Sequence, residues 1–313
     1  MMRILLAGAS GYIGQSVLRA LLARGHDVVA PVRQEMEISH PKLTQMTGAL
    51  EALSADHIGP VDHVVSCLAS RSGGIRDAHR VDFQANMTLL DLAQSCKARR
   101  FTLLSAICVQ RPMLSFQRAK LQFERALIDA PIDHSIIRPT AYFKSISGQV
   151  ERVRQGKPFL IFGDGRETSC TPISRSDLAE FMVERLTDPA ARNAILPIGG
   201  PGPALSARAQ GELLCQAFGR PAKFRSVSPK IFDIIGTALW PLAQVSPWAQ
   251  DRAEFMRIAK YYATQSMLVW DETAQRYDRA LTPSTGHDRL EDYYAQLAAG
   301  QVDAPDLGAH KLF

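Results

Sequence analysis

A Rossmann-type, doubly wound parallel β-sheet followed by a smaller C-terminal lobe is the fold class this sequence predicts, and three observations carry it. The chain opens on a short apolar run, Arg3-Ile-Leu-Leu-Ala7, that breaks into the glycine pattern Gly8-Ala-Ser-Gly11-Tyr-Ile-Gly14. Strand-like and helix-like periodicities then alternate at the spacing of βαβ units. Beyond Pro139 that alternation loosens into pieces punctuated by proline and glycine. The expected division is a Rossmann domain over 1–155 and a substrate-side lobe over 156–313, parts of which return to the sheet.

The elements follow in order. Arg3–Ala7 is a buried strand, and Tyr12–Arg24 carries apolar residues at helical spacing until Gly25 stops it. Asp27–Val32 is the second strand and completes one βαβ unit. Further strands are expected at Leu43–Thr47, Asp62–Cys67, Phe101–Ser105 and His134–Arg138, with helices at Ile75–Lys97 and Leu114–Ile128 between them. In the lobe the pieces are Gly156–Gly165, a helix at Ser176–Leu186 and Ile195–Gly202. Ile231–Leu242 is apolar, with Trp240 and Pro241 near its end, and is too short to span a bilayer. It reads as a packed helix or pocket wall, with a membrane-surface helix as the alternative.

Composition narrows the function classes. With 46% hydrophobic and 21% charged residues the chain is an ordinary globular protein without an apolar run approaching a membrane span. The formal charge of +5 suits an anionic ligand, yet the basic residues are scattered rather than blocked, which argues against a nucleic-acid partner. Five cysteines without a C-x-x-C, and eight unclustered histidines, suggest neither disulfides nor a metal site. A cytoplasmic location fits those thiols, and the immediate start of the first strand leaves no room for a targeting segment.

The glycine pattern lies where dinucleotide chemistry requires it, after a strand and at the start of a helix. Gly8 permits the tight turn, Gly11 lets backbone approach a pyrophosphate, and Gly14 allows close helix–strand packing, with Ala9, Ser10, Tyr12 and Ile13 completing the loop. No acid stands at the end of the second strand to hold a ribose hydroxyl. Arg33 stands there instead, and a guanidinium favours the 2′-phosphate of NADPH. Cys67, Leu68 and Ala69 leave the fourth strand beside the cofactor, Ser105 ends the fifth, and Pro139 ends the sixth. Lys120 is one helical turn after Phe116, placed to reach the nicotinamide ribose hydroxyls. That pair has the spacing of a Tyr-x-x-x-Lys reductase, but phenylalanine cannot protonate the alkoxide that carbonyl reduction leaves.

With these residues assembled, the first half resembles the atypical, extended branch of the short-chain dehydrogenase/reductases. Longer strings sharpen the resemblance: Cys67 to Asp82, Leu104 to Gln110, Phe116 to Lys120, Arg138 to Ser145, Phe162 to Gly165, Leu196 to Pro201 and Ala263 to Leu268 resemble the divinyl chlorophyllide a 8-vinyl reductases of chlorophyll and bacteriochlorophyll synthesis. The similarity covers nearly the whole chain and fades after about Ala299. It implies reduction of the C8 vinyl group of divinyl chlorophyllide or protochlorophyllide by NADPH, with phenylalanine at the tyrosine position as in the family. Hydride added to a conjugated vinyl carbon leaves charge spread over the macrocycle, so no local oxyanion needs a tyrosine. The proton for the other carbon has several candidate sources: Tyr142, Lys144, Tyr261, Tyr262 or a water, with Tyr142 and Lys120 taken as the catalytic pair. Phe143, Phe159, Phe162, Trp240 and Trp248 are candidates to line a slot for a flat apolar substrate, which is compatible with peripheral contact at a photosynthetic membrane. Three alternatives are a redox-sensing regulator, an assembly protein that merely retains a dinucleotide, and an isoflavone-reductase-like ene-reductase.

Overall fold

The computed structural model describes residues 1–243 and 246–303, with Trp240, Ala243 and Pro247 described as backbone only. Its strands are β1 (Arg3–Ala7), β2 (Asp27–Val32), β3 (Leu43–Thr47), β4 (His63–Ser66), β5 (Arg100–Leu104), β6 (Asp133–Pro139), β7 (Phe159–Phe162), β8 (Ser169–Cys170), β9 (Ala194–Ile198), β10 (Leu205–Ser206), β11 (Phe224–Val227), β12 (Val269–Asp271) and β13 (Arg276–Asp278). The helices are α1 (Gly14–Ala23), α2 (Ala55–Ile58), α3 (Ile75–Ala78), α4 (Asn86–Ser95), α5 (Ser115–Asp129), α6 (Phe143–Ile146), α7 (Val150–Arg154), α8 (Arg175–Glu184), α9 (Ala207–Ala217), α10 (Lys230–Ala243), α11 (Pro247–Thr264) and α12 (Leu290–Ala298).

One seven-stranded sheet in the order β3-β2-β1-β4-β5-β6-β9 organises these elements, and every neighbouring pair in it is parallel. Side chains alternate across it with period two. Ile4, Leu6, Val28 and Ala30 face α1 and α8, whereas Leu5, Val29, Val64 and Phe101 face α4 and α5. The strand order reverses between β1 and β4, which opens a crevice at the carboxyl ends of those two strands. The chain returns to the sheet late: β9 pairs with β6, and α8 packs on α1.

The expected helix over Ile75–Lys97 divides into three parts. Between α3 and α4 the stretch His79–Ala85 winds as a π-helix. The Asn86 amide donates to the carbonyls of Val81 (3.1 Å) and Asp82 (3.2 Å), and its oxygen accepts from the Ser66 hydroxyl at the end of β4 (2.5 Å). That tie satisfies carbonyls in a region of altered hydrogen bonding and turns Asp82 inward. In the lobe, β7 pairs with β11 and β8 with β10, over a core that includes Val153, Phe159, Leu214 and Tyr294. Among the described residues no helix is long and apolar enough to cross a membrane.

Candidate functional site

The glycine loop fills the crevice at the strand-order reversal. Gly8 has φ +80°, and a Cβ there would stand 2.7 Å from the Cys67 carbonyl carbon and oxygen, so only glycine lets the turn after β1 pass the segment leaving β4. A Cβ on Gly14 would stand 2.0 Å from the Gly8 carbonyl oxygen, which makes that position the contact between α1 and the turn. The Gly11 amide donates to the Gly8 oxygen at 2.9 Å. No side chain caps α1 at Ile13; the Gln15 and Ser16 amides donate to the Gly11 (3.0 Å) and Ile13 (2.9 Å) carbonyls, which leaves the Ile13 and Gly14 amides for an outside acceptor. Arg33 is exposed just beyond β2 and makes no ion pair among the described residues. A close-packed glycine turn, an uncapped helix start and a free guanidinium fit the pyrophosphate and ribose end of a nicotinamide dinucleotide.

Beside this crevice lies a cavity of about 490 Å³, within the range of small-ligand pockets. Ala69, Ser105, Phe116, Lys120, Pro139 and Tyr142 all line it, so most of the nicotinamide-side residues singled out in the sequence come together there. Lys144 and Tyr262 also face it, and Phe255, Ile258 and Met267 give it an apolar wall. The start of α5, which carries Phe116 and Lys120, is held firmly. Buried Gln117 accepts from the Met113 (2.7 Å) and Leu114 (2.9 Å) amides and donates to the Cys108 carbonyl (2.9 Å). Glu254 of α11 accepts from the Ser115 amide at 2.8 Å.

Lys120 has a partner that sequence reasoning missed. Its ammonium lies 2.9 Å from the fully buried Asp82 carboxylate, which also accepts from the Ser70 hydroxyl at 2.6 Å. The Ser105 hydroxyl is likewise engaged: it donates to Glu124, whose carboxylate also pairs with Arg138. Asp82 stands in the helical string that marked the resemblance, but its pairing spans 38 residues of chain and has no local spacing signal.

The tyrosines differ. The half-buried Tyr12 and Tyr142 rings pack with centroids 6.4 Å apart, and Lys144 and Arg175 sit 5.2 and 5.5 Å from the Tyr12 centroid. Burial pushes the Tyr12 phenol up to about 12 and holds Tyr142 still further above its ordinary range. Tyr261 lies outside the cavity wall and donates to the Cys108 carbonyl at 3.1 Å.

The expected aromatic slot is corrected. Phe143 and Phe159 are buried in the lobe core, Phe162 packs against Phe232, and Trp248 is exposed. The Trp240 side chain lies outside the described residues. Phe143 and Phe159 are committed to the packing of the lobe, and the apolar wall comes instead from Phe255 and Ile258 of α11, with Phe116 of α5 and Met267. Among the described residues there is no group of three or more His, Cys, Asp or Glu able to hold a metal.

The NAD(P)H-binding family matches residues 8–189 of this chain. The divinyl chlorophyllide a 8-vinyl-reductase of Oryza sativa subsp. indica is 42% identical over 99% of this chain and 82% of its own length. That of Arabidopsis thaliana is 42% identical over 97% and 79%. A photosystem II assembly factor of Synechocystis is 22% identical over 64% of this chain and 63% of its own. Among solved structures, an NADPH-dependent quinone oxidoreductase of Escherichia coli is similar in fold, with TM-score 0.67 and 15% identity over 94% of this chain and 99% of that one.

Proposed function

The chain belongs to the divinyl chlorophyllide a 8-vinyl-reductase family of NAD(P)H-binding proteins, and from that membership we propose that it uses NADPH to reduce the C8 vinyl group of divinyl chlorophyllide or protochlorophyllide to ethyl. The observation that carries the chemistry is Phe116, placed in the cavity wall four residues before Lys120 where a carbonyl reductase needs its acid. The assembly-protein reading rests on a relative at 22% identity over 64% of the chain, whereas the reductase relatives cover nearly all of it.

A bound reduced nicotinamide would supply a hydride to one vinyl carbon and leave oxidised, and the vinyl π pair, delocalised over the macrocycle, would take up a proton at the other vinyl carbon. The protein's share is to bind, orient and protonate. The glycine loop would hold the pyrophosphate, Arg33 the 2′-phosphate, and Lys120, paired with Asp82, the nicotinamide end. The apolar wall of Phe116, Phe255 and Ile258 excludes water from a charge that the pigment itself delocalises. Tyr142 faces the same cavity and is the proton donor in this reading. Burial raises its pKa and keeps the phenol protonated, and solvent would return the spent proton once the product has left the cavity.

Purified protein mixed with NADPH and divinyl chlorophyllide, followed by pigment absorbance, tests the proposal. A shift to the ethyl pigment matched mole for mole by NADPH oxidation is the expected result. No pigment change under those conditions would overturn it.

A further inference from the structure

The hairpin of α10 and α11 has two differently used sides. Its inner side closes the cavity through Phe255 and Ile258. Its outer side exposes Ile231 (43%), Ile234 (69%), Ile235 (39%) and Leu242 (55%) at helical spacing along α10, with Trp248 (60%) at the start of α11. Five of the twelve large apolar side chains exposed among the described residues lie between 231 and 248. An apolar stripe left open on one helix needs an apolar medium or partner.

Charge identifies which. No charged residue occurs between Asp233 and Asp251, while residues 220–260 hold seven Lys and Arg against three Asp and Glu. Two of those acids are already paired, Asp233 with Lys260 at 2.7 Å and Glu254 with Arg257 at 3.2 Å. Lys230 at the start of α10 and Arg252 on α11 are exposed, as are Lys223 and Arg225 on the segment leading into α10, and the Arg252 guanidinium lies 5.8 Å from the Trp248 ring centroid. An apolar stripe with a cationic rim and an aromatic at its edge matches the surface of an anionic bilayer, with the stripe in the acyl boundary and the rim among the headgroups.

We propose that the outer face of the α10–α11 hairpin docks on an anionic membrane surface, placing the cavity behind it where a flat, apolar pigment passes from lipid to protein without crossing water. The inference rests on the vinyl-reductase reading for the identity of the cargo, but the docking itself does not.

Sedimentation of the full chain with phosphatidylcholine vesicles, with and without about one-third phosphatidylglycerol, tests it in the absence of NADPH and pigment. The protein should pellet with the anionic vesicles, far less with the neutral ones, and less as salt rises. The double variant Ile234→Asp/Leu242→Asp should lose roughly tenfold or more in vesicle affinity while reducing detergent-dispersed pigment at the native rate. Native protein that stays in the supernatant with both vesicles overturns the proposal, as does a variant that pellets like the native chain. A dimer in sedimentation velocity that Ile234→Asp dissociates, without vesicle binding, assigns the face to a second copy and also overturns it. Should the double variant fail to fold, quenching by brominated lipid decides: Trp248 emission, read as the difference from Trp248→Phe, is quenched if the face is docked and unchanged if it is not. Failure of the reductase assay with vesicle binding intact would remove the cargo and leave the docking.

Discussion

Lys120 has two neighbours with opposite legibility. Phe116 was visible from sequence because residues four apart share one helix face, so the missing acid could be read directly. Asp82 was not, because its approach depends on a π-helical stretch and on β4 placing Ser66 against Asn86. Removing one partner of a buried ion pair leaves an uncompensated charge, at a cost of about 3–5 kcal/mol. Asp82→Asn should therefore lower thermal stability and weaken NADPH binding, and calorimetry with an unfolding scan reads both. Native-like affinity in Asp82→Asn would show that Lys120 needs no carboxylate to hold it. Phe116→Tyr restores the Tyr-x-x-x-Lys spacing yet should bring no gain in vinyl reduction, since it sets a hydroxyl in an apolar wall. A large rate increase would mean that an acid at this position limits the reaction. Arg33→Ala should weaken NADPH while leaving NADH almost unchanged. Equal losses for the two cofactors would take the 2′-phosphate away from Arg33.

At the scale of elements, the sequence revealed what is local and hid what is not. The β1–loop–α1 unit was legible because three glycines with seven-residue span encode a turn whose clashes are all within that span or with the adjacent strand exit. Gly14→Ala makes the point quantitatively testable. Its Cβ would meet the Gly8 carbonyl oxygen at 2.0 Å, and both atoms are tied to backbone, so α1 must shift away from the turn. The expected outcome is NADPH affinity lowered at least tenfold with a reduced melting temperature; an alanine variant with native affinity would remove the close contact from the binding role. The slot aromatics were illegible for the complementary reason. Phe143 and Phe159 are apolar at positions that suit either a pocket or a core, and only the late arrival of Leu214 and Tyr294 from α9 and α12 commits them to the core. Periodicity alone likewise reads Ile75–Lys97 as one helix, because a π stretch shifts the register without breaking the apolar pattern.

The whole molecule is a sheet that closes late in sequence: β9 pairs with β6 more than fifty residues downstream, and Arg100 of β5 donates to the Leu186 and Asp188 carbonyls that precede it. Within that sheet sits a titratable group whose environment depends on global folding. His63 of β4 is 2% exposed, shares a 2.8 Å hydrogen bond with Thr102 of β5, and is pushed down to about 3, first by burial and then by the Arg100 charge. The unfolded chain takes a proton on this imidazole below its ordinary value of about 6.5, whereas the native chain does not until about 3. The unfolded state therefore binds more protons throughout that window, and its contribution to stability is complete above pH 6.5 and is lost as pH falls toward 3. His26 and His134 are shifted in the same direction by burial, so they add to the acid sensitivity. For His63 alone the loss approaches about 1.4 kcal/mol per pH unit inside the window. Thermal unfolding of the native chain and of His63→Asn between pH 7.5 and 4.5 checks this. The variant should be less stable at pH 7.5, and the gap should narrow on acidification because asparagine has no proton to gain. Parallel curves for the two proteins would mean that His63 is not the group through which acid opens the sheet.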